Sequence, residues 1–498
     1  INAMKSHSSL RDGILLKRMA SFSKGCHPII LLLLPLLPLR AEVSMPYFFG
    51  DGMVLQQQTQ APIWGKAAPA SHVVVSSSWD GYSYHAKADE QGRWQVKVQT
   101  PTAGGPYTVA ITEEGQPSIT FKEVYSGEVW LLGGQSNMEM PLQGYRDQPV
   151  YGSLQEIVHS AEYPIHWFKV HRHSTTTAVD TVKHSQWKKS APDNAGDISA
   201  AGWFFAKQLS QALRVPIGLI ACNYGGSYVE AWMSPSKLQA YADVNVPGPG
   251  EAIPVVNRTP STLFNGMLNP LIGYAIKGCL WYQGESNYQH PDQYADRFAA
   301  LVADWRTRWG QGDFPFYYAQ IAPYDYRILK EAGYVNSAYL REAQRLAEST
   351  IPASGMIVLL DEGDSTCIHP GNKAAVGERF ALLALAKTYG WSSNGLLSPK
   401  VKDVTFEGAQ AIIRFDEAPV GLSTFGKPLT GFELAGSDSL FHPATAVINK
   451  GGVVVTSTAV SQPVAVRYGF TDYLKGSLKG ANGLPVSSFY HSPSIRLF

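Results

Sequence analysis

Between Lys122 and Trp391 the apolar positions of the chain follow two alternating rhythms. Continuous apolar runs, Val129 to Leu132, Ile217 to Cys222, Ile276 to Tyr282, Phe316 to Ile321 and Met356 to Leu360, read as strands buried on both faces. Between them apolar residues recur every three or four positions: Phe205, Leu209, Ala212 and Leu213; Tyr294, Phe298, Leu301, Val302, Trp305 and Trp309; Leu340, Ala343 and Leu346; Val376, Phe380, Leu383 and Ala384. That spacing puts each set on one face of an α-helix. Strands joined by helices predict an α/β region over 122–395, a parallel sheet with helices on both faces.

The flanks are patterned differently. Over 42–121 short alternating runs dominate, with Val73 to Trp79 and Tyr82 to Ala86 separated by Asp80-Gly81, a hairpin signal, and Trp94, Val96 and Val98 sharing one side of a further strand. A small antiparallel β sandwich is predicted there. Over 396–498 β signals return, including Val404 to Phe406, Ala411 to Phe415, and Val447-Ile448 facing Val453 to Val455 across Asn449-Lys450-Gly451-Gly452. A second β domain is predicted.

Residues 1–41 carry Lys17, Arg18 and Lys24, then an apolar stretch from Ile29 to Leu39 broken by prolines, then Ala41. This is the pattern of a cleaved export signal, too short to span a bilayer, and it predicts a periplasmic or extracellular protein starting near Glu42. Ile1 to Ala3, ahead of Met4, read as a cloning remnant. At 498 residues, 45% hydrophobic and 16% charged, the chain has the composition of an ordered, multi-domain globular protein. Its 41 basic and 40 acidic residues nearly cancel, which excludes a field able to hold nucleic acid or an anionic membrane. Beyond Cys26 in the signal, Cys222, Cys279 and Cys367 offer neither a disulfide framework nor metal-ligand spacing.

Ligands of open parallel sheets bind beyond the carboxyl ends of the strands. Four of the five predicted strand ends are rich in polar residues: Gly134-Gln135-Ser136-Asn137-Met138-Glu139 after the first, Asn223-Tyr224-Gly225-Gly226-Ser227 after the second, Gln283-Gly284-Glu285-Ser286-Asn287 after the third, and Asp361-Glu362-Gly363-Asp364 after the fifth, leading to His369-Pro370-Gly371-Asn372-Lys373. A serine at a strand-to-helix turn presents its hydroxyl at the sheet rim beside helix N–H groups. Ser136 and Glu139 equally fit the S-x-x-E of a helix capping box. His369 ahead of Pro370 fits a cap of the next helix, Gly225-Gly226 an ordinary turn, and Glu285 a structural carboxylate. Together, in the order Ser, Gly-Gly, Gln-Gly-Glu, His at one sheet edge, they fit acyl transfer better. Ser136 is then the nucleophile, His369 its base and a nearby carboxylate the orienting acid. Oxyanion donors are expected from the N–H of Ser136, an N–H of Gly225 or Gly226, and the side-chain amide of Gln283 or Asn287.

The segments around Ser136, Trp281 to Asn287 and Ile368 to Lys373 resemble the sialate O-acetylesterase family of SGNH hydrolases. Asp51 to Gln56, Gly92-Arg93-Trp94, Arg467-Tyr468 and Asn482 to Pro485 extend the resemblance into both β regions. It implies a flavodoxin-like core and a serine esterase, without metal or other cofactor, that removes O-acetyl groups from sialic acids. Related SGNH enzymes deacetylate plant polysaccharides, so hemicellulose such as xylan or xyloglucan stands as the alternative substrate. Many SGNH hydrolases place the acid three residues before the histidine, where this chain has Thr366. Glu285 comes first in its place, because related acetylxylan esterases assign that role to the glutamate of Gln-Gly-Glu; Asp364, then Asp361 or a backbone carbonyl, follow. A sialic acid carboxylate calls for a cation, for which Arg341 is the candidate against a solvated surface role. The reading from a different class is a non-catalytic carbohydrate-binding protein, to which 12 tryptophans and 25 tyrosines would lend stacking surfaces.

Overall fold

A computed structural model describes residues 43–391, 395–449 and 451–497. The expected export signal over 1–41 and Lys450 lie outside the described residues. Among those described, no helix is long and apolar enough to cross a membrane.

Five parallel strands form the centre: β1 (Ile119–Gly134), β2 (Ile217–Asn223), β3 (Gly278–Tyr282), β4 (Phe316–Ala319) and β5 (Ser354–Ile357). Their order is β2-β1-β3-β4-β5, the flavodoxin-like order, in which the switch point falls beside β1. Beyond β2, Ile165–Lys169 adds a further parallel strand, and Lys188–Lys189 pairs antiparallel with it.

The helices that matter for the site are α1 (Ser136–Glu139), α2 (Ala200–Leu213), α3 (Pro291–Trp309), α4 (Ala338–Thr350) and α5 (Lys373–Lys387). Helix α3 begins with a proline, where a missing N–H costs nothing, and stops at Gly310 in the left-handed region. Its predicted stripe, Tyr294 through Trp309, is buried. Trp130 of β1 meets Phe205 of α2 at 5.1 Å between ring centroids, whereas Trp281 of β3 meets Trp305 of α3 at 5.5 Å. In the register that aligns Gly278 with Trp130 and Trp281 with Gly133, these two tryptophans point to opposite faces. Both faces are therefore covered, which explains strands apolar along their whole length.

Strand β1 belongs to two regions. Its first half pairs antiparallel with Gly104–Glu113 and parallel with Val54–Gln56; its second half lies between β2 and β3. The boundary expected at 121/122 thus falls inside one continuous strand rather than in a linker. In the N-terminal region His72–Ser77 pairs with Ser83–Lys87, and Gln60–Lys66 with Arg93–Gln99 in a separate two-stranded sheet. The C-terminal region holds a seven-stranded antiparallel sheet that includes the pair Phe441–Asn449 and Gly452–Thr456.

Candidate active site

Gly134 closes β1 against β3. Its φ is +127°, and a Cβ there would lie 2.1 Å from the carbonyl oxygen of Tyr282, so only glycine permits the approach. The Gln135 N–H then donates to that carbonyl at 2.9 Å, and the chain turns into α1 with Ser136 as its first residue. Ser136 Oγ lies 2.7 Å from Nε2 of His369. The capping-box alternative is not what the fold builds: Gln135 occupies the cap position without a side-chain cap bond. Glu139 instead accepts both Nε and Nη2 of Arg172, at 2.8 and 2.6 Å.

His369 arrives on the loop between β5 and α5. Asn372, not His369, caps α5, its side chain accepting the N–H of Ala375 at 3.3 Å. The other imidazole nitrogen, Nδ1, lies 2.6 Å from Oε1 of Gln148. An amide oxygen only accepts, so this contact sets the Nδ1–H tautomer and leaves Nε2 free to receive the serine proton. Tyr145 packs edge-on against the imidazole at 5.3 Å and donates its hydroxyl to the carbonyl of Ser136 at 3.1 Å. Burial, with the charge of Lys373 second, lowers the His369 pKa to about 4. The imidazole is thus held neutral. Gln148 escapes sequence reading because it sits in an irregular loop with no motif around it.

No hydrogen bond joins any of the expected acids to the imidazole. Glu285 is buried beneath the site, where its Oε1 accepts from Asn137 Nδ2 at 2.5 Å. The same Nδ2 donates to the carbonyl of Ile368 at 3.0 Å, and Lys373 Nζ donates to Asn137 Oδ1 at 2.5 Å. Burial raises the Glu285 pKa, and burial lowers that of Lys373 to about 7 against the opposing pull of Glu285. Glu285 therefore reaches His369 indirectly, through Asn137 and the peptide before the histidine and through the charge of Lys373. Asp364 accepts from the Thr366 and Cys367 amides, at 2.7 and 3.0 Å, and the Thr366 amide above all lowers its pKa. Asp361 forms ion pairs with Arg379 and Lys479 at 2.8 and 2.6 Å. These carboxylates already serve nearer donors.

Three of the expected oxyanion donors are also engaged. The Gly225 N–H donates to Glu139 at 2.7 Å. Gln283, fully buried, donates to the Ser227 carbonyl at 3.0 Å and to Asn287 Oδ1 at 2.6 Å; Asn287 in turn donates to Glu230 at 3.1 Å. Both side chains tie the loops after β2 and β3 together, because buried polar groups have to be satisfied where they lie. This leaves the N–H of Ser136, an amide of the first helical turn without an intrahelical acceptor, and that of Gly226.

Arg341, expected at the substrate, is fully buried instead. Its guanidinium donates to Ser488 Oγ at 3.2 Å and to the carbonyls of Gly469, at 3.0 Å, Asp472, at 3.3 Å, and Thr471. It holds the C-terminal β region against α4. Cys222 and Cys279 are buried and Cys367 is half-buried, all three as free thiols. Among the described residues no group of His, Cys, Asp and Glu is placed to hold a metal ion. A cavity of 730 Å³, lined by Trp64, Arg93 and Asn269 among others, includes neither Ser136 nor His369.

A parallel sheet in this order, with a serine and a histidine joined at its carboxyl edge, is the arrangement of SGNH-type hydrolases, and the protein is a carboxylic ester hydrolase of that class. Residues 126–385 match the family described as carbohydrate esterase, sialic acid-specific acetylesterase, and the chain belongs to it. It is similar to the sialate O-acetylesterase of Homo sapiens, 30% identical over 402 residues that cover 72% of each chain. The Mus musculus sialate O-acetylesterase is 28% identical over 438 residues, 76% of this chain and 78% of that protein. Among solved structures, a carbohydrate acetylesterase from Xanthomonas citri is 35% identical and covers 91% of this chain and 100% of its own, with a TM-score of 0.82.

Proposed function

We propose that this protein is an exported esterase that removes O-acetyl groups from sialic acids, with Ser136 as nucleophile and His369 as its base. The observation that carries the reading is the 2.7 Å contact between Ser136 Oγ and His369 Nε2 at the sheet's carboxyl edge. His369 Nε2 takes the hydroxyl proton as Oγ bonds to the acetyl carbon. The oxyanion forms beside the Ser136 and Gly226 amides. Collapse breaks the carbon–oxygen bond to the sugar, whose oxygen leaves with the proton from Nε2. Water, deprotonated by the same nitrogen, then attacks the acetyl-serine, and collapse releases acetate as Ser136 Oγ takes the proton back from Nε2. Gln148 orients the imidazole throughout, and Asn137 holds the peptide that carries it.

The sialate substrate is supported by the family and by relatives that are themselves sialate O-acetylesterases. A second reading, an acetylated neutral polysaccharide such as hemicellulose, stands beside it because the likeness over 91% of this chain is to a Xanthomonas citri carbohydrate acetylesterase, a description that names acetylated carbohydrate without restricting it to sialic acid. Acetate release from O-acetylated sialic acids and from acetylated xylan, measured side by side on wild type and Ser136→Ala, decides between them. A preference for xylan overturns the sialate reading, and turnover by Ser136→Ala equal to wild type overturns the nucleophile. Export rests on the charged and apolar pattern of residues 1–41; N-terminal sequencing of the secreted protein is expected to start near Glu42.

A further inference from the structure

A sialic acid differs from a neutral sugar by its carboxylate, so an enzyme that prefers it needs a cation within reach of the acetyl group. Lys373 is buried and donates inward to Asn137, and Arg341 is enclosed by the C-terminal region. Arg172 is different. Its side chain keeps 52% of its exposure, and its guanidinium lies 4.5 Å from the ring centroid of Tyr224.

A short chain of contacts fixes this guanidinium relative to the nucleophile. Nε and Nη2 donate to the two oxygens of Glu139, which is itself 7% exposed, and Glu139 Oε2 also accepts the Gly225 N–H at 2.7 Å. Gly225 in turn abuts Ser136, since a Cβ on that glycine would lie 3.3 Å from the serine Cβ. Arg172, Glu139, Gly225 and Ser136 are thus consecutive neighbours. The fork is ordered before any ligand arrives, so binding does not have to freeze a long side chain.

We propose that Arg172 is the specificity-determining residue that receives the carboxylate of the sialic acid whose acetyl ester Ser136 attacks; this rests on the sialate reading above. One edge of the guanidinium, Nε and Nη2, is held by Glu139, and its remaining N–H donors meet no protein acceptor among the described residues. A planar fork that already grips one carboxylate can grip a second on its outer edge. Because Glu139 balances its charge, Arg172 recognises through directed hydrogen bonds at contact distance rather than by attraction from afar. Its effect is expected in KM.

The test compares three substrates, an O-acetylated sialic acid, the carboxyl methyl ester of the same compound and an acetylated neutral hexose, on wild type, Arg172→Gln and Arg172→Lys. Arg172→Lys keeps a cation against Glu139 if the glutamine variant folds poorly, and the wild-type comparison needs no variant at all. The expected result is a KM about tenfold or more lower for the free acid than for its methyl ester in wild type, a difference that collapses in the variants. If wild type handles acid and methyl ester alike, or the discrimination persists in both variants, Arg172 is not the anchor, while cleavage of the sialic acid still stands. If wild type cleaves only the neutral hexose, the sialate reading falls and the anchor with it.

Discussion

Gln148 Oε1 lies 2.6 Å from Nδ1 of His369, so the imidazole that faces Ser136 is oriented by a neutral amide. A carboxylate in that position would fix the tautomer and also stabilise the imidazolium formed during catalysis. The amide does only the first. In the proposed mechanism, stabilisation of the imidazolium must come from the rest of the site, and the charge of Lys373 works against it.

Replacing Gln148 separates orientation from charge. Gln148→Ala removes the acceptor for Nδ1–H and is expected to lower kcat about 10- to 100-fold with little change in KM, the scale of one hydrogen bond to a group that becomes charged. Gln148→Glu keeps the acceptor and adds a negative charge. It is expected to raise the imidazole pKa and move the acidic limb of the kcat/KM profile to higher pH. An unmoved limb in a folded Gln148→Glu protein would mean that residue 148 does not face the imidazole.

The wild-type pH profile follows from the same environment. In the proposed mechanism the neutral imidazole is the base, and burial, then Lys373, lower its pKa from 6.5 to about 4. Protonation on falling pH removes the base, so kcat/KM is expected to stay level down to roughly pH 5 and to fall through pH 4. An acidic limb at 6 or above, measured on a substrate without a titrating group in that range, contradicts this.

Ser136→Ala is expected to lose about 10⁴-fold or more in acetate release while retaining the wild-type far-ultraviolet circular dichroism spectrum. Near-wild-type turnover would place the nucleophile elsewhere.

Glu285 offers a contrast between a reacting acid and a supporting one. Its carboxylate faces Asn137 and the charge of Lys373 in a buried network. Glu285→Ala leaves those groups uncompensated and is expected to cost about 3 kcal/mol in denaturant unfolding. Glu285→Gln keeps an acceptor for Asn137 and is expected to lose less than tenfold in kcat. A loss of about 10⁴-fold in a stable Glu285→Gln protein would return the glutamate to the role of catalytic acid.

Arg341→Met tests the residue that sequence reading offered for the substrate carboxylate. It removes donors from Ser488 and from several carbonyls of the C-terminal region. The expected outcome is a stability loss of about 3 kcal/mol, seen as a lower denaturant midpoint, with KM unchanged.

The primary structure by itself determined whatever depends on neighbours along the chain. Apolar runs such as Val129 to Leu132 and helical stripes such as Tyr294 to Trp309 define the sheet and its covering helices, because burial on one or two faces imposes a period that can be read locally. Ser136 and His369 were legible for the same reason: each follows a strand end within a short polar segment rich in glycine. The tertiary structure decided which of the polar groups so assembled remain free to react. Gln283, Asn287 and Gly225 stand in the expected segments, yet their donors are taken by Ser227, Glu230 and Glu139 from other loops. Gln148 and Arg172 stand in no motif and reach the site only because folding brings distant loops onto one sheet edge. Hydrogen-bond partners and burial across such separations belong to the packed chain, since no local spacing encodes which loop will meet which.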